Sequence, residues 1–293
     1  MKSNFNLQHV LALRHAYPIS YKQLLLLYNQ LQQLDELPTM PHQLLMKIFK
    51  IGSERIAKML KDFQRFNTPN ILEFYFEKQI HLIPFWSDNY PNILFQLIDP
   101  PVILFAKGNV NLLMKPYKMA CIGSRNATTY SVEALRYLLP PIIQKGAVIV
   151  SGLAKGADTM AHVMTMQYGG HTIAVLGHGL QMIYPKENGK VAKMMSKEHL
   201  LLSEYTFFEG PKKYTFPMRN RIISGLSDGL LVTEAAVKSG TLITTEHALE
   251  HGKDVFVVPG PITSKQSEGT NKLIREGAIP VWNGYQIVEE LWQ

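Results

Sequence analysis

The sequence of 293 residues contains a single cysteine, Cys121. One cysteine excludes an internal disulfide bond and a zinc site built from cysteines. Because Cys121 lies in an apolar segment, we expect a buried thiol with a structural role. Apolar runs stay well short of the roughly 20 residues that a membrane-spanning helix needs, and the segment from Met1 to His9 is polar. These absences predict a cytoplasmic protein without a membrane span.

Internal repeats and low-complexity tails are lacking as well, and charged residues make up only 18% of the chain. Its length is sufficient for one large and one small domain. The charge that is present is unbalanced. Lysine and arginine number 30 against 23 aspartates and glutamates, which leaves a formal net charge of +7. A positive excess favours a polyanionic partner.

Residues 1–68 predict a small all-α domain. Leu24 to Leu27 begin an apolar helical face, and residues 48–56 indicate two helices joined at Gly52, with Ser53 as the N-cap of the second. The turn is similar to that of helix-hairpin-helix DNA modules, although those usually have two glycines and this chain has one. The motif is therefore a weak indication of DNA binding.

Residues 69–293 predict an α/β domain with an extended Rossmann-like fold, whose sheet is doubly wound and mostly parallel. Runs punctuated by prolines between Asn67 and Leu113 indicate a strand-rich lead-in. From Lys118 onward, continuous apolar runs alternate with amphipathic helices, as expected for buried parallel strands with helical crossovers. The predicted strands are 119–123, 147–151, 172–177, 200–204, 229–234, 254–258 and 279–282.

In a doubly wound sheet, ligands bind at the carboxyl ends of the strands, so the loops that follow them form the candidate site. The first loop contains Gly123, Ser124 and Arg125. Glycine lets the backbone approach a ligand, while the serine and the arginine offer donors to a phosphate. A structural turn with Thr129 as helix N-cap would explain Gly123 but not Arg125.

The second loop opens a helix and contains a serine, a lysine and two glycines: Ser151, Gly152, Lys155 and Gly156. This composition resembles a phosphate cradle built from backbone N–H groups. It matches neither the Walker A pattern nor the dinucleotide GxGxxG pattern. Asp158 lies in the first turn of the helix, where its charge suits the helix dipole, and both a structural and a ligand role stay open.

Three other features follow strands. No carboxylate stands at a spacing that would support acid–base catalysis by His178, so we expect no catalytic role for it. We expect Glu234 either to orient an arginine or to accept a hydrogen bond from the helix that follows. That helix opens with Ser239, Gly240 and Thr241, which offer an N-terminal anion site.

A basic stretch lies between Thr206 and Gly225, where four cations against Glu209 give a local charge of +3: Lys212, Lys213, Arg219 and Arg221. Phe216 adds a ring suited to stacking on bases, and Asn220 stands between the two arginines. We predict a helix that begins near Pro217. A solvated basic face is the alternative, and arginines paired with Glu204 or Glu234 would give the same sequence pattern.

These motifs occur in order and together resemble the DNA-processing protein A family (DprA/Smf) over residues 80–282. The matching motifs are Gly-Ser-Arg (123–125), Ser-Gly-Leu-Ala-Lys-Gly-Ala-Asp (151–158), Gly-His-Gly with Tyr-Pro (177–185), Ser-Glu (203–204), Phe-Pro-Met-Arg-Asn-Arg-Ile-Ile-Ser-Gly-Leu-Ser (216–227), Ser-Gly-Thr-Leu-Ile-Thr (239–244), Val-Pro-Gly (258–260) and Gly-Thr-Asn-Lys-Leu-Ile-Arg-Glu-Gly-Ala (269–278).

The resemblance implies a protein without catalytic activity, cofactor or metal. Members of the family bind incoming single-stranded DNA during natural transformation, protect it and help load the RecA recombinase, and they tend to form homodimers. A sterile-alpha-motif-like helical domain often precedes the core, which suits residues 1–68. Some members add a C-terminal winged-helix domain, which we expect this chain to lack because it ends at Gln293.

Carried over by motif, Arg125 and Lys213 contact backbone phosphates and Phe216 stacks on a base. Arg219, Asn220 and Arg221 either join the phosphate pocket or hold its wall. The full set of residues expected to bind nucleic acid is Gly123, Ser124, Arg125, Ser151, Gly152, Lys155, Gly156, Lys212, Lys213, Phe216, Arg219, Asn220 and Arg221.

The alternative is an enzyme of the nucleoside-monophosphate phosphoribohydrolase type, with the lysine-decarboxylase-like fold. Residues 239–246 resemble only the tail of its Pro-Gly-Gly-x-Gly-Thr-x-x-Glu signature, since Ala236-Val237-Lys238 stands where the Pro-Gly-Gly lead belongs. A dinucleotide oxidoreductase is disfavoured because no GxGxxG follows the first strand.

Overall fold

The computed structural model describes residues 5–237 and 240–293 and consists of two compact units. The first unit comprises Met1–Tyr90 and Ile98–Phe105, and the second comprises Pro91–Leu97 and Ala106–Gln293. The division into domains at residues 68 and 69 stays a prediction. No helix in the described part of the chain combines the length and the apolar character needed to cross a bilayer.

The first unit is mainly helical. Its elements are α1 (Leu7–Ala16), α2 (Tyr21–Tyr28), a 3₁₀ helix (Leu34–Thr39), α3 (His42–Phe49), α4 (Ser53–Phe66), α5 (Asn70–Glu77), β1 (His81–Pro84) and the start of β2 (Ile103–Gly108). Ser20 and Gln23 form a capping box that satisfies free N–H groups at the start of α2. The helix α4 buries Ile56 and Phe63 at a spacing that places both on one face.

The turn between α3 and α4 differs from the prediction in one respect. The helix α3 ends at Phe49, and Lys50 follows in the left-handed conformation with φ 55°. Ser53 is the first residue of α4, and Gly52 occupies the N-cap position without a side-chain hydrogen bond. The predicted capping role of Ser53 is therefore wrong, because the extended backbone that an N-cap requires is found one residue earlier.

The segment from Asn67 to Leu113 is less rich in strands than predicted. It contains α5, β1, a 3₁₀ helix at Asn92–Gln96, β2, and most of a second 3₁₀ helix at Val110–Met114. The apolar run that predicted a strand at residues 102–105 coincides with β2. Prolines in this segment thus separate short elements of mixed type.

The second unit alternates strands and helices. Its further elements are β3 (Lys118–Ile122), α6 (Thr129–Gln144), β4 (Val148–Ser151), α7 (Ala157–Gln167), β5 (His171–Leu176), a 3₁₀ helix (Lys186–Asn188), α8 (Gly189–Glu198), β6 (Leu200–Ser203), α9 (Thr215–Leu226), β7 (Gly229–Val232), α10 (Gly240–Glu250), β8 (Asp254–Val257), α11 (Glu268–Arg275), β9 (Ile279–Pro280) and α12 (Gly284–Leu291).

The strands from β3 to β9 pair in parallel in the order β6-β5-β4-β3-β7-β8-β9. The chain runs outward from β3 to β6, then returns to the other side of β3 with β7, so the order reverses between β3 and β7. This is the doubly wound α/β topology predicted from the sequence, and each predicted strand has its counterpart. Ligands of such sheets bind beside the point of reversal.

Helices cover the sheet with two apolar clusters. Met119 and Cys121 of β3 pack with residues of α6, α7 and α12, whereas Ala174 and Leu176 of β5 pack with α8. The Cys121 thiol is fully buried, and burial raises its pKa. Its predicted structural role is confirmed. A sheet buried in this way leaves its carboxyl edge as the exposed face on which loops can build a site.

Candidate nucleic-acid interface

A cleft of ≈ 670 Å³ lies at the carboxyl edge of the sheet, and we call it the switch-point cleft. The residues that line it come from the loops after β3, β4 and β5, from α9 and from α10 with the segments that flank it. They are Ile122, Gly123, Ser124, Arg125, Asn126, Ala154, Asp158, Tyr184, Lys213, Phe216, Pro217, Arg219, Asn220, Ile223, Ala236, Gly240, Thr241, Ile243, Thr244 and Gln266.

The loop after β3 presents its polar residues to the cleft, as predicted. The Ser124 N–H donates to the carbonyl of Glu234 at 2.7 Å, which ties this loop to the end of β7. A Cβ at Gly123 would lie 2.6 Å from the Cβ of Ala157, so a glycine is needed for the close approach. Ser124 is buried, while Arg125 and Asn126 are exposed. The exposed cation of this loop is thus Arg125.

The loop after β4 uses two of its backbone N–H groups within the protein. The N–H groups of Gly152 and Ala154 donate to the Asp158 carboxylate at 3.1 and 3.3 Å. Ala154 and Asp158 line the switch-point cleft, whereas the four residues predicted to bind phosphate here do not: Ser151, Gly152, Lys155 and Gly156. Two backbone donors of this loop thus already have an internal carboxylate as acceptor, and this gives Asp158 a structural role.

The segment before and within α9 supplies an aromatic and basic wall. The Thr215 hydroxyl donates to the carbonyl of Gly177 and so holds the start of α9 against the end of β5. This contact places half-buried Phe216 and exposed Lys213 in the cleft lining. Lys212 is exposed as well but lies outside the lining, with its ammonium 5.7 Å from the centre of the Tyr214 ring.

Tyr184 is a cleft residue that sequence reasoning did not select. It follows β5 and is 50% exposed, and its ring centroid lies 5.7 Å from that of Phe216. The Arg125 guanidinium lies 5.9 Å from the centre of the same Phe216 ring. The signal in the sequence was an aromatic residue in a loop after a strand, which is also how Phe216 was found.

His178 holds the loop after β5 together and does not face a ligand. One ring nitrogen, Nδ1, lies 2.9 Å from the Gly179 carbonyl, and the Tyr184 N–H donates to the other, Nε2, at 3.3 Å. Burial lowers the pKa of His178, and these two backbone contacts oppose that change. A neutral, buried imidazole with both nitrogens in use has a structural function.

Arg219 and Arg221 are both buried, at 4% and 8% exposure. The Nη2 nitrogen of Arg221 donates to both carboxylate oxygens of Glu204, at 2.5 and 2.7 Å, in a charge-assisted contact. Arg221 is absent from the residues that line the cleft, whereas Arg219 and Asn220 belong to them. Of the alternatives open for Arg221, the structure thus contains the ion pair with Glu204.

Glu234 caps a helix at the end of β7. Its carboxylate accepts hydrogen bonds from the Thr128 N–H at 2.7 Å, the Thr128 hydroxyl at 3.0 Å and the Ser131 hydroxyl at 2.8 Å. Thr128 is itself the N-cap of α6, so the N-cap predicted at Thr129 is wrong by one residue. Of the two predicted roles, Glu234 accepts hydrogen bonds from a helix start, and in the described part of the chain that helix is α6.

The start of α10 forms another side of the cleft, through Gly240, Thr241 and Thr244. Ser239 of the predicted anion site lies outside the described residues. Glu246, the carboxylate on which the phosphoribohydrolase alternative rests, is exposed and does not line the cleft. Within the described residues, no cluster of three or more histidine, cysteine, aspartate or glutamate side chains is arranged to hold a metal ion.

The chemistry of the cleft follows from these positions. Arg125 and Lys213 are exposed cations in its lining, and two partly exposed rings stand beside them, Phe216 and Tyr184. The carboxylate in the lining, Asp158, is buried and already accepts two N–H groups. A doubly wound α/β domain with such a cleft at its point of strand reversal defines a Rossmann-like protein with a site for a polyanion that carries flat groups.

The family to which the chain belongs follows from comparison with known proteins. The model of the DNA recombination-mediator protein A family matches residues 81–292. The chain is 47% identical over 223 residues to a DNA processing protein DprA from Bacillus subtilis, which covers 76% of this chain and 75% of that protein. A relative of the same name from Streptococcus pneumoniae is 43% identical over 234 residues, covering 80% and 77% of the two chains.

Solved structures give the same result. The crystal structure of DNA processing protein A from Streptococcus pneumoniae aligns with a TM-score of 0.84 and 35% identity over 99% of both chains. A structure describing the single-stranded DNA binding mode of DNA processing protein A from Helicobacter pylori aligns with a TM-score of 0.66 and 34% identity, over 73% of this chain and 95% of that one. The chain belongs to the DNA recombination-mediator protein A family, and its role lies in DNA processing and recombination.

Proposed function

We propose that this protein binds single-stranded DNA in the switch-point cleft and catalyses no reaction on it. The observation that carries the proposal is the grouping of Arg125 with the Phe216 and Tyr184 rings in a cleft that Lys213 also lines. Cations attract a phosphate chain of any sequence, and aromatic faces stack on unpaired bases. Duplex DNA offers no free base faces for such stacking.

The size of the cleft agrees with this ligand. A volume of ≈ 670 Å³ is within the range typical of sites for small organic ligands, so it accommodates a short stretch of a strand. In the proposed complex, Arg125 and Lys213 contact phosphates, Phe216 and Tyr184 stack on bases, and Ser124 holds the first loop in place. Lys212 and Lys155 are exposed cations outside the lining, and we assign them to the approach of the strand.

The similarity to the Helicobacter pylori protein, whose solved structure describes a single-stranded DNA binding mode, supports the proposal at 34% identity. Together with the family resemblance, the proposal includes protection of incoming DNA during transformation and loading of the RecA recombinase. It also includes a homodimeric state and a cytoplasmic location. We also propose that residues 1–68 form a separate helical domain, which precedes the Rossmann-like domain of residues 69–293 in the chain.

A salt titration tests the proposal directly. The apparent affinity of the protein for a labelled oligonucleotide is measured at several salt concentrations for the wild type, Lys213→Ala and, as a matched control, Lys193→Ala. Lys193 is an exposed lysine of α8 outside the cleft lining. We expect affinity to fall as salt rises, and Lys213→Ala to lower the slope of log affinity against log salt by about 0.7, the value of one phosphate contact on a single strand.

Two results would contradict the proposal. One is no binding at low salt, and the other is equal behaviour of the Lys213 and Lys193 variants. The enzyme alternative has its own measurement, in which the protein is incubated with adenosine monophosphate and free base is quantified. Release of base that Glu246→Gln abolishes would replace DNA binding by hydrolysis as the function. Light scattering at micromolar concentration tests the homodimer, and a strict monomer would exclude it.

A further inference from the structure

Asp158 and Arg219 are opposite charges buried at the base of the switch-point cleft, at 6% and 4% exposure. Together they form hydrogen bonds with both the N–H group and the carbonyl group of Gly152. The Gly152 N–H donates to Asp158 at 3.1 Å, and the Gly152 carbonyl accepts from Arg219. A Cβ at Gly152 would collide with the Arg219 guanidinium, so glycine is required there for this contact. The loop after β4 is thus clamped by the pair.

Further contacts extend the clamp to neighbouring elements. Arg219 also donates to the Val175 carbonyl of β5 at 2.5 Å, and Asp158 accepts from the Ala154 N–H at 3.3 Å. Burial raises the pKa of the Asp158 carboxyl, and the Arg219 guanidinium and the two amide donors oppose that rise. Each partner therefore supports the charged state of the other in a site that is largely buried.

The clamped loop in turn supports the loop that carries Arg125. Gly156 has φ 82°, and a Cβ there would overlap the carbonyl oxygens of Ser124 and Arg125. The next residue, Ala157, donates its N–H to the Ser124 carbonyl at 3.1 Å. The backbone of the loop after β3 consequently rests on the loop after β4, and a shift of one displaces the other.

We propose that Asp158 and Arg219 are positioning residues. They set the position of Arg125 through the loop after β4, which they clamp, and they do not themselves contact DNA. The proposal rests on the proposed function, because it concerns how the same cleft binds a strand. In this proposal, the Asp158 carboxylate occupies the amide donors of Gly152 and Ala154 that a DNA phosphate would otherwise use.

The direction in which Asp158→Asn changes the affinity for DNA distinguishes a positioning role from a purely electrostatic one. Asp158→Asn removes a negative charge from the lining of a cleft that binds a polyanion. If electrostatics alone decided, affinity for DNA would rise, because a repulsive charge is lost. If Asp158 positions the loop, the amide cannot hold both N–H donors and Arg219 equally, and affinity falls. We expect a loss of about tenfold, which is the effect of roughly 1.4 kcal/mol of lost binding free energy.

The experiment measures oligonucleotide affinity across a salt series for wild type, Asp158→Asn, Arg219→Lys and Gly156→Ala, with circular dichroism and thermal unfolding of each protein. Arg219→Lys keeps the charge but removes the planar guanidinium, whose Nη1 donates to Gly152 and Val175 and whose Nε donates to Asn220. Gly156→Ala leaves the pair intact and displaces the backbone under Arg125. We expect weaker binding in all three, with the slope against salt unchanged for Arg219→Lys.

Each result decides the question. Tighter binding by folded Asp158→Asn overturns the proposal, as does wild-type affinity in Gly156→Ala. A neutral variant, Arg219→Met, adds a further test. If it lowers the slope of log affinity against log salt by about 0.7 with only a small loss of DNA affinity, Arg219 is a phosphate contact and the proposal is overturned. If Asp158→Asn fails to fold, Gly156→Ala and Arg219→Lys still decide. Failure of the wild type to bind DNA would instead contradict the proposed function itself.

Discussion

The Arg125 guanidinium lies 5.9 Å from the centre of the Phe216 ring, although the two residues belong to different elements of the sheet edge. Phe216 packs closely against the end of β5, where a Cβ added at Gly177 would lie 3.0 Å from the ring. The ring therefore has a defined place, and the cation beside it is available to a phosphate while the ring offers a face to a base. This pairing motivates the first prediction.

Replacement of Phe216 by leucine should weaken binding of single-stranded DNA by about 1–3 kcal/mol, because leucine keeps apolar volume but cannot stack on a base. Fluorescence anisotropy with a labelled oligonucleotide measures the loss. Tyr137→Leu is the matched control, since Tyr137 is a 72% exposed ring on α6 outside the cleft lining. Equal affinities of the Phe216 variant and the wild type would remove the stacking role.

The ion pair of Arg221 and Glu204 should matter for stability and not for contact with DNA. Its side chains are 10% and 15% exposed, and replacement of Arg221 removes a counter-charge from a poorly hydrated carboxylate. Arg221→Met should lower the free energy of unfolding by about 3–5 kcal/mol, measured by urea denaturation. The matched control is Arg136→Met, at an exposed position of α6. A salt slope reduced by Arg221→Met, with stability unchanged, would instead identify Arg221 as a phosphate contact.

The N-cap of α6 gives a prediction that separates two adjacent threonines. Thr128 accepts from the Tyr130 N–H and donates to Glu234, so Thr128→Ala removes a cap and leaves the buried carboxylate with fewer partners. We expect a loss of about 0.5–2 kcal/mol in the free energy of unfolding. Thr128→Ser keeps the hydroxyl and should retain most of the stability. A larger effect of Thr129→Ala than of Thr128→Ala would contradict this assignment.

His162 should make the stability of the protein depend on pH. The Thr172 hydroxyl donates to the Ile149 carbonyl, so His162 must donate its Nδ1 proton to Thr172, which leaves Nε2 buried without a partner among the described residues. Burial first, and then the charges of Arg219 and His199, lower the pKa of His162 to about 3. The folded state therefore resists protonation of this ring.

The direction of the effect follows from proton linkage. The unfolded chain takes up a proton on His162 below its ordinary pKa of 6.5, while the folded protein does not until about 3. Stability is therefore complete above pH 6.5 and falls as pH falls, by up to about 1.4 kcal/mol per pH unit for this one group. His162→Asn should flatten the curve of unfolding free energy between pH 7 and pH 5. The exposed His171→Asn serves as control, and equal slopes for both variants would contradict the assignment.

The strands were predictable because a parallel strand buried on both faces must be a continuous apolar run. Residues 147–151 and 229–234, for example, stand out against the amphipathic helices beside them and coincide with β4 and β7. The same reasoning located the loops of the switch-point cleft, since parallel strands end at one edge. This reasoning placed Phe216 and Lys213 at the cleft. It could also have placed Tyr184 there, because Tyr184 lies in the loop after β5.

The roles of the polar residues were not predictable in the same way. Thr128 and Glu234 are 106 positions apart, and Arg219 reaches the Gly152 carbonyl across 67 positions. The sequence does not distinguish a buried arginine from a solvated one. It gives the number of hydrogen bonds that a carboxylate can accept but not the groups that donate them.

The sequence by itself determined the doubly wound sheet, the edge at which its loops meet and the positive charge of those loops, because these follow from local apolar patterns and chain order. Only the tertiary structure decided which cations remain free for a ligand. Arg221 lies in an ion pair with Glu204, and Arg219 in hydrogen bonds to two strand ends, while Arg125 and Lys213 stay exposed. The reason is that burial and hydrogen-bond partners depend on residues distant in the chain, which meet only when the sheet has formed.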